Sequence, residues 1–439
     1  MKWKRYPQYK DSGIGWLGVI PEHWMLKPLF NLMNERKENN IGNKVQNVLS
    51  LSYGNIIPRN VNNNFGLLPE SFETYQIVNP GSIVMRLTDL QNDKRSLRVG
   101  LVQQHGIITS AYICLDTISA IDSTYVYYLF HTYDLMKIYY SLGGGVRQSM
   151  KFEDLKRLPI LTTTIHEQRA IATFLDRETS RIDKLIEKKE KQIELLKEKR
   201  AALISHAVTK GLDPNVKMKD SGIQWLGEIP ESWEVRKLKH IASVKFSNVD
   251  KKITEGQQPV RLCNYVDVYY NDFITSDLNL MNASASTEEI VRFSLKEGDV
   301  LITKDSESWD DIAVPAYVSL DLAGVVCGYH LAQVRPKKAL VDGKYLFRSF
   351  CFQGINYQYR VEATGITRYG LGKYWLDNSL FLLPPKEEQQ AISTFLDRET
   401  GKIDALIEKI KKSIEILKEY RTAIISAAVT GKIDVRGTV

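Results

Sequence analysis

The sequence predicts a mixed α/β (α+β) protein: two similar domains joined by a pair of long antiparallel helices, with a pseudo-twofold internal repeat. Three observations carry that expectation. Residues 10–24, KDSGIGWLGVIPEHW, return at 219–233 as KDSGIQWLGEIPESW. A helical segment at 166–213 returns at 387–434, with 31 of 48 aligned residues identical. Between these repeats, the blocks at 25–165 and 234–386 alternate short apolar runs with turns but share almost no identity. A fixed order of repeated and variable pieces marks a duplicated unit, here a constant frame carrying two different inserts.

The first strap, 1–24, is set by DSGIxWLGxIPExW. Asp11, Ser12 and Gly13 read as a turn, Trp16, Leu17 and Ile20 form an apolar face, and Pro21 with Trp24 pins an aromatic ring. Two roles fit it: packing Trp on a neighbouring helix, or offering a docking surface twice. The block 25–165 runs VQNVLSLSYGNIIPRN, NPGSIVMRLTDLQNDKRSLRVG and GIITSAYICLD, then the helical STYVYYLFHTYDLMKIYYS. Apolar runs bounded by Gly, Pro and Asn are strand signals. Tyr125 and Tyr128, like Tyr139 and Tyr140, read as core.

The central segment, 166–213, has neither Pro nor Gly from 167 to 208. Ile171, Phe174, Leu175, Ile182, Leu185, Ile186, Ile193, Leu196, Leu203 and Ile204 make one helical stripe. About forty residues at 1.5 Å rise give a rod of roughly 60 Å, ended by Gly211. Such a rod cannot hide its stripe alone, and its own copy is the obvious antiparallel partner. The opposite face, with Arg181, Lys184, Lys188, Lys191 and Lys199, reads as solvated. The second strap, 214–233, repeats Trp225 and Trp233.

The second block, 234–386, runs PVRLCNYVDVYYNDFIT, KEGDVLITKDSESWDD and GVVCGYHLAQVRP. Turns before apolar strands (Pro80 and Gly81; Glu297, Gly298 and Asp299) suggest one α/β fold used twice with changed loops. The last segment, 387–439, follows Pro384 and Pro385, with carboxylates Glu387 and Glu388 in its first turn, where the helix dipole favours them. The first copy has Thr162, Thr163 and Thr164 in that place.

Composition narrows the class. Hydrophobic and charged fractions of 43% and 25% are ordinary for a globular chain, and a net charge of +7 permits an anionic partner without requiring one. Cys114, Cys263, Cys327 and Cys351 are far apart, with no CxxC, and read as reduced thiols. The chain has no apolar run of 18 residues and no signal-like start, so a cytoplasmic protein without membrane contact is expected. No methyltransferase Gly loop or Asn/Asp-Pro-Pro-Tyr motif, Walker A or HExxH occurs, and a non-catalytic chain without cofactor or metal is expected.

A constant frame calls for two copies of one partner, and two different inserts call for two different targets. Non-palindromic DNA is a ligand of that kind. The chain resembles the specificity subunits of type I restriction-modification systems in the doubled DSGIxWLGxIPExW, the LPPKEEQQAISTFLD start at 383–397, and the paired helices. The resemblance implies two target recognition domains (25–165 and 234–386), each reading half of a bipartite site on double-stranded DNA, in a bacterial or archaeal cytoplasm. It implies helical spacers that set the half-site gap and dock two methyltransferase (modification) subunits, with two restriction/translocase subunits completing the complex. S-adenosylmethionine, ATP and Mg then belong to those partners.

Arg forks suit guanine, and Asn or Gln suits adenine, so the base-reading candidates follow from residue type. In the first block they are Arg59, Arg86, Thr88, Lys94, Arg95, Arg98, Arg147 and Gln148. In the second they are Asn264, Tyr265, Tyr269, Asn271, Lys304, Ser306, Ser308, Tyr329, His330, Thr367 and Arg368. GGGVRQSM and ATGITRYG occupy equivalent places and could bring backbone N–H groups and Arg to phosphate, or be tight connections. Partner or spacer contacts are expected from Trp16, Trp24, Trp225, Trp233, Phe174, Ile182, Leu185, Ile193, Leu196, Phe395, Ile403, Leu406, Ile414 and Leu417. Two alternatives stay open: a coiled-coil adaptor that binds no DNA, and a metal-dependent nuclease built on Asp305, Glu307, Asp310 and Asp311.

Overall fold

The long segments form the two helices that their periodicity predicts, Ile165–Lys210 and Lys386–Val429, in a computed structural model that describes residues 3–59, 71–90, 97–118, 121–142 and 149–437. The threonines do not delay the first helix. Thr164 sits just before it, its carbonyl taking the Gln168 N–H at 3.0 Å and its hydroxyl the Glu167 N–H at 3.4 Å. This is the N-cap role that a hydroxyl residue fills. In the second helix the Pro385 carbonyl takes the Gln389 N–H at 3.0 Å.

The chain forms two compact units. One comprises Met1–Lys189 with Lys412–Val439, and the other Glu190–Lys411. Each long helix therefore gives its first half to one unit and its second half to the other. In the first unit Ile171, Phe174, Leu175 and Ile182 pack with Ile424, Ile425, Ala428 and Val429. In the second, Ile392 and Leu396 pack with Ile204, Ala207 and Val208. These are equivalent positions at the 221-residue offset, and in each unit the start of one helix lies along the end of the other, antiparallel.

The two α/β domains share a strand order that their sequences do not advertise. In the first unit, Met33–Glu35, Ile113–Thr117, Ile83–Met85 and Val99–Leu101 lie side by side in that order, all antiparallel. In the second, Ala242–Phe246, Leu331–Pro336, Val300–Thr303 and Pro315–Val318 repeat it, with Phe273–Ile274 added in parallel at the edge. The strand leaving each strap pairs with the strand entering each long helix: Met25–Pro28 with Pro159–Thr162, and Glu234–Lys237 with Leu380–Leu383. One matching helix follows each sheet. Asp122 caps Ser123–Leu135 through the Tyr125 N–H, and Asp342 caps Gly343–Phe350 through the Tyr345 N–H, both at 3.0 Å.

Candidate nucleic-acid interface and helix surfaces

Each strap turns out to be a clamp with three matched fittings. Trp24 is fully buried, and its Nε1–H donates to Glu167 at 3.2 Å; Trp233 is equally buried and donates to Glu388 at 3.0 Å. Each acceptor stands in the first turn of the long helix that follows its own domain. The far end of the other helix closes the clamp. Gly431 lies over Trp24 and Gly211 over Trp233, and a Cβ on either would stand 3.3 Å from the indole. Lys432 donates to the Val19 carbonyl at 2.5 Å, and Lys210 donates to the Glu228 carbonyl. Trp16 and Trp225 are half-buried, Trp16 edge-on to Tyr133 and Trp225 near Phe352.

Glu167 is the more deeply held carboxylate. Burial alone would raise its pKa, but hydrogen bonds from Thr163, His23 and Trp24 outweigh that and hold it below the usual range.

The apolar stripe divides. Phe174, Ile182, Ile403 and Ile414 are buried, while Ile193, Leu196, Phe395 and Leu417 are half-buried. Leu185 and Leu406, expected on the stripe, are instead 37% and 41% exposed. The reason is angular: from Ile182 the i+4 residue Ile186 turns toward the core, leaving the i+3 residue on the outer flank, and Ile403, Leu406 and Ile407 repeat the pattern. Leu195 and Ile416, also equivalent, are exposed too. Each unit thus presents one aliphatic from each helix, Leu185 and Ile416 in the first, Leu406 and Leu195 in the second. Matched ion pairs stand beside them, Arg421 with Asp183 at 2.9 Å and Arg200 with Asp404 at 3.0 Å.

In the second unit, candidates scattered over a hundred residues of sequence converge. His330 Nδ1 lies 2.8 Å from both Asp305 oxygens, and Arg368 Nη2 lies 3.2 Å from Oδ1. Lys304 donates to the Ser247 carbonyl at 3.1 Å and stands over the Tyr329 ring, its pKa lowered by burial. Tyr265 stacks on Tyr269, whose hydroxyl donates to Asp311 at 2.6 Å. Thr367 is exposed at the same edge, as is Ser308, which donates to Asp310. Sequence reasoning missed three contributors: Ile366, 95% exposed; Trp309, 51% exposed; and Asp305 as an organiser rather than a nuclease carboxylate.

Other candidates are structural. Asn264 is buried as the cap of Tyr265–Tyr270, with its N–H on Asp267 at 2.7 Å. Asn271 donates to the Asp267 carbonyl, and Ser306 is buried. Arg98 is fully buried; its guanidinium donates to the carbonyls of Arg86 (3.0 Å), Thr88 (2.9 Å) and Asp89, and to the Tyr140 hydroxyl. A fork spent on three carbonyls holds a turn and cannot reach a base. Arg59, Arg86 and Thr88 are half-buried. Lys94, Arg95, Arg147 and Gln148 lie outside the described residues. Tyr53, unforeseen, is exposed at the tip of the hairpin joining Leu49–Ser52 to Asn55–Pro58.

The acidic string does not form a metal cradle. Asp305, Asp310 and Asp311 each face a donor of this chain, and no group of three or more His, Cys, Asp or Glu among the described residues is arranged to hold a metal. Among the described residues, no helix is long and apolar enough to cross a membrane.

Comparison with known proteins agrees with this architecture. The family described as Type I restriction modification DNA specificity domain matches residues 230–416. A Methanocaldococcus jannaschii protein named "Putative type I restriction enzyme MjaX specificity subunit" is 24% identical over 439 residues, covering 96% of both chains. A chain from a structure titled for complex assembly and conformational transition of the type I R-M system has the same fold, with a TM-score of 0.68 at 14% identity, covering 93% of this chain and 98% of that one. The HsdS subunit from Thermoanaerobacter tengcongensis aligns at 0.53 and 14% identity, over 94% and 98%.

Proposed function

We propose that the chain is a type I restriction-modification specificity subunit, the DNA-reading scaffold of such a complex, as its family match and its full-length relative support. Each α/β domain reads one half of an asymmetric bipartite site. The long helices set the gap between half-sites and dock two methyltransferase subunits, and two restriction/translocase subunits join that core. The observation that carries this reading is the contrast between frame and face. The clamp atoms, the helix ion pairs and the exposed aliphatics recur in both units, while the inserts at 25–165 and 234–386 share almost no identity. Two identical partners fit the recurring set, and two unlike DNA half-sites fit the inserts, which share almost no identity before about residue 144 of the first.

The chain has no catalytic step of its own in this reading, and S-adenosylmethionine, ATP and Mg act on the partner subunits in the cytoplasm. The nuclease alternative loses ground because three of its four carboxylates, Asp305, Asp310 and Asp311, are held by Arg368 and His330, by Ser308 and by Tyr269.

The test is to express the chain with its cognate methyltransferase and map methylated adenines across the host genome. An interrupted asymmetric motif is expected only when both proteins are present. Methylation by this chain alone, or methylation without a shared motif, would sink the reading. Inserting one helical turn between Ile193 and Arg200 should lengthen the gap and leave both half-sites unaltered. Altered bases at an unchanged gap would refute the spacer role.

A further inference from the structure

The hairpin at 364–370 in the second unit is built more rigidly than a connection needs. Thr364 and Gly370 exchange both backbone hydrogen bonds, at 3.1 and 2.8 Å. Its returning arm, Tyr369–Gly370, pairs antiparallel with Asp305–Ser306, so the hairpin is stapled to the strand that carries Asp305. Gly365 has φ +148°, and a Cβ there would lie 1.9 Å from the Arg368 carbonyl oxygen, so no side chain fits the turn. The tip presents Ile366, almost fully exposed, and Arg368 beside it.

Arg368 is half-exposed, with one terminal nitrogen on Asp305 and the rest of its fork open. Asp305 is itself fixed from behind by His330. An oriented guanidinium discriminates between acceptors, whereas a phosphate contact needs only a mobile positive charge. An apolar residue at a rigid tip suits a thymine methyl or a base step and gains nothing from solvent.

We infer that this hairpin enters a groove of the DNA, with Arg368 reading a base edge, Ile366 making the apolar contact beside it, and Asp305 acting as the positioning residue for Arg368. The inference rests on the proposed DNA-reading role and deepens it to named residues of one half-site.

The experiment maps methylated adenines directed by the intact complex of this chain and its methyltransferase, using wild type, Arg368→Ala, Arg368→Lys, Ile366→Ser and Asp305→Asn. The wild-type arm guards the premise: if no bipartite motif emerges, the proposed function fails before the hairpin is tested. Given a motif, Arg368→Ala should make one or two adjacent positions of a single half-site degenerate, leaving the other half-site intact. Arg368→Lys should not restore discrimination. Ile366→Ser, exposed and therefore neutral to folding, should relax a neighbouring position. Asp305→Asn should relax the same position as Arg368→Ala with an unchanged thermal midpoint, and the double variant should be no worse than Arg368→Ala alone. An unchanged motif and rate in both Arg368→Ala and Ile366→Ser would overturn the inference. So would a uniform loss across all sites with a shallower salt dependence, which marks a phosphate contact.

Discussion

Replacing Trp24 and Trp233 with Phe, one at a time, should affect the two units unequally, although the two clamps look alike. Trp24→Phe removes the Nε1–H donor from a Glu167 side chain that is only 4% exposed. Losing a hydrogen bond to a buried charged acceptor costs about 1.5–3 kcal/mol. The missing ring atoms, in a site lined by Tyr6 and Tyr125, add about 1 kcal/mol. His23 and Thr163 still hold the carboxylate, which keeps the total near 3 kcal/mol. Glu388 is half-buried, so water can replace the Trp233 donor and that term falls to about 0.5–1.5 kcal/mol. The sum for Trp233→Phe is then about 2 kcal/mol. The assay is urea-dependent hydrogen exchange read by mass spectrometry, which resolves stability segment by segment. Peptides from 123–135 report the first unit and peptides from 343–350 the second. Equal losses, or a larger loss for Trp233→Phe, would refute the claim that burial of the acceptor sets the strength of the clamp.

The closing glycines should differ as well. Gly431→Ala places Cβ 2.3 Å from the rigid Pro21 ring at φ +71°, and should cost about 2–4 kcal/mol, whereas Gly211→Ala at φ +78° meets a Glu388 oxygen that can swing away, for about 1–2 kcal/mol; denaturant midpoints of the two variants decide it. Glu167 should make the first unit acid-sensitive. Its folded pKa lies below the ordinary 4.5, so its stabilisation is complete above that value and is lost as pH falls through the folded one; the stability gap between wild type and Glu167→Gln, measured by exchange of the same peptides, should narrow over that window. A fragment of residues 1–218 should dimerise, because its own 191–211 matches the 412–432 stretch that completes the first unit, and it should direct methylation at a palindromic interrupted site; a monomer in sedimentation, or an asymmetric site, would count against it.

The frame was legible because its residues repeat. The 3.6 period locates both long helices, and the doubled Trp marks the straps. The division of each helix between two units was not legible, since a stripe records what is buried but not against what. The closing fittings were also concealed by residue order. Sequence alignment at offset 221 sets Lys210 against Gly431 and Gly211 against Lys432, yet in the fold glycine meets tryptophan and lysine meets the strap carbonyl in both units. The chain swapped two adjacent residues and kept both contacts, because a Lys side chain is long enough to reach the same carbonyl from either place.

The candidate DNA-contacting residues were legible only as residue types. Arg98 and Arg368 look alike in a sequence, and what separates them is the count of acceptors around each: several carbonyls and a phenol close on one fork, a single carboxylate touches the other. The same principle appears where the domains meet the helices. Tyr128 puts its hydroxyl 2.8 Å from Asp176 and 3.2 Å from Thr179, while Arg348 puts Nη2 at 2.8 and 3.2 Å from the equivalent Asp397 and Thr400. An Asp and a Thr one helical turn apart make a socket that accepts any donor of the right reach, phenol or guanidinium. The inserts were therefore free to change identity wherever they met the frame through such a socket. Two domains with almost no residues in common can consequently sit on one repeated helix surface, which, under the proposed function, is the condition for changing one half-site without rebuilding the scaffold.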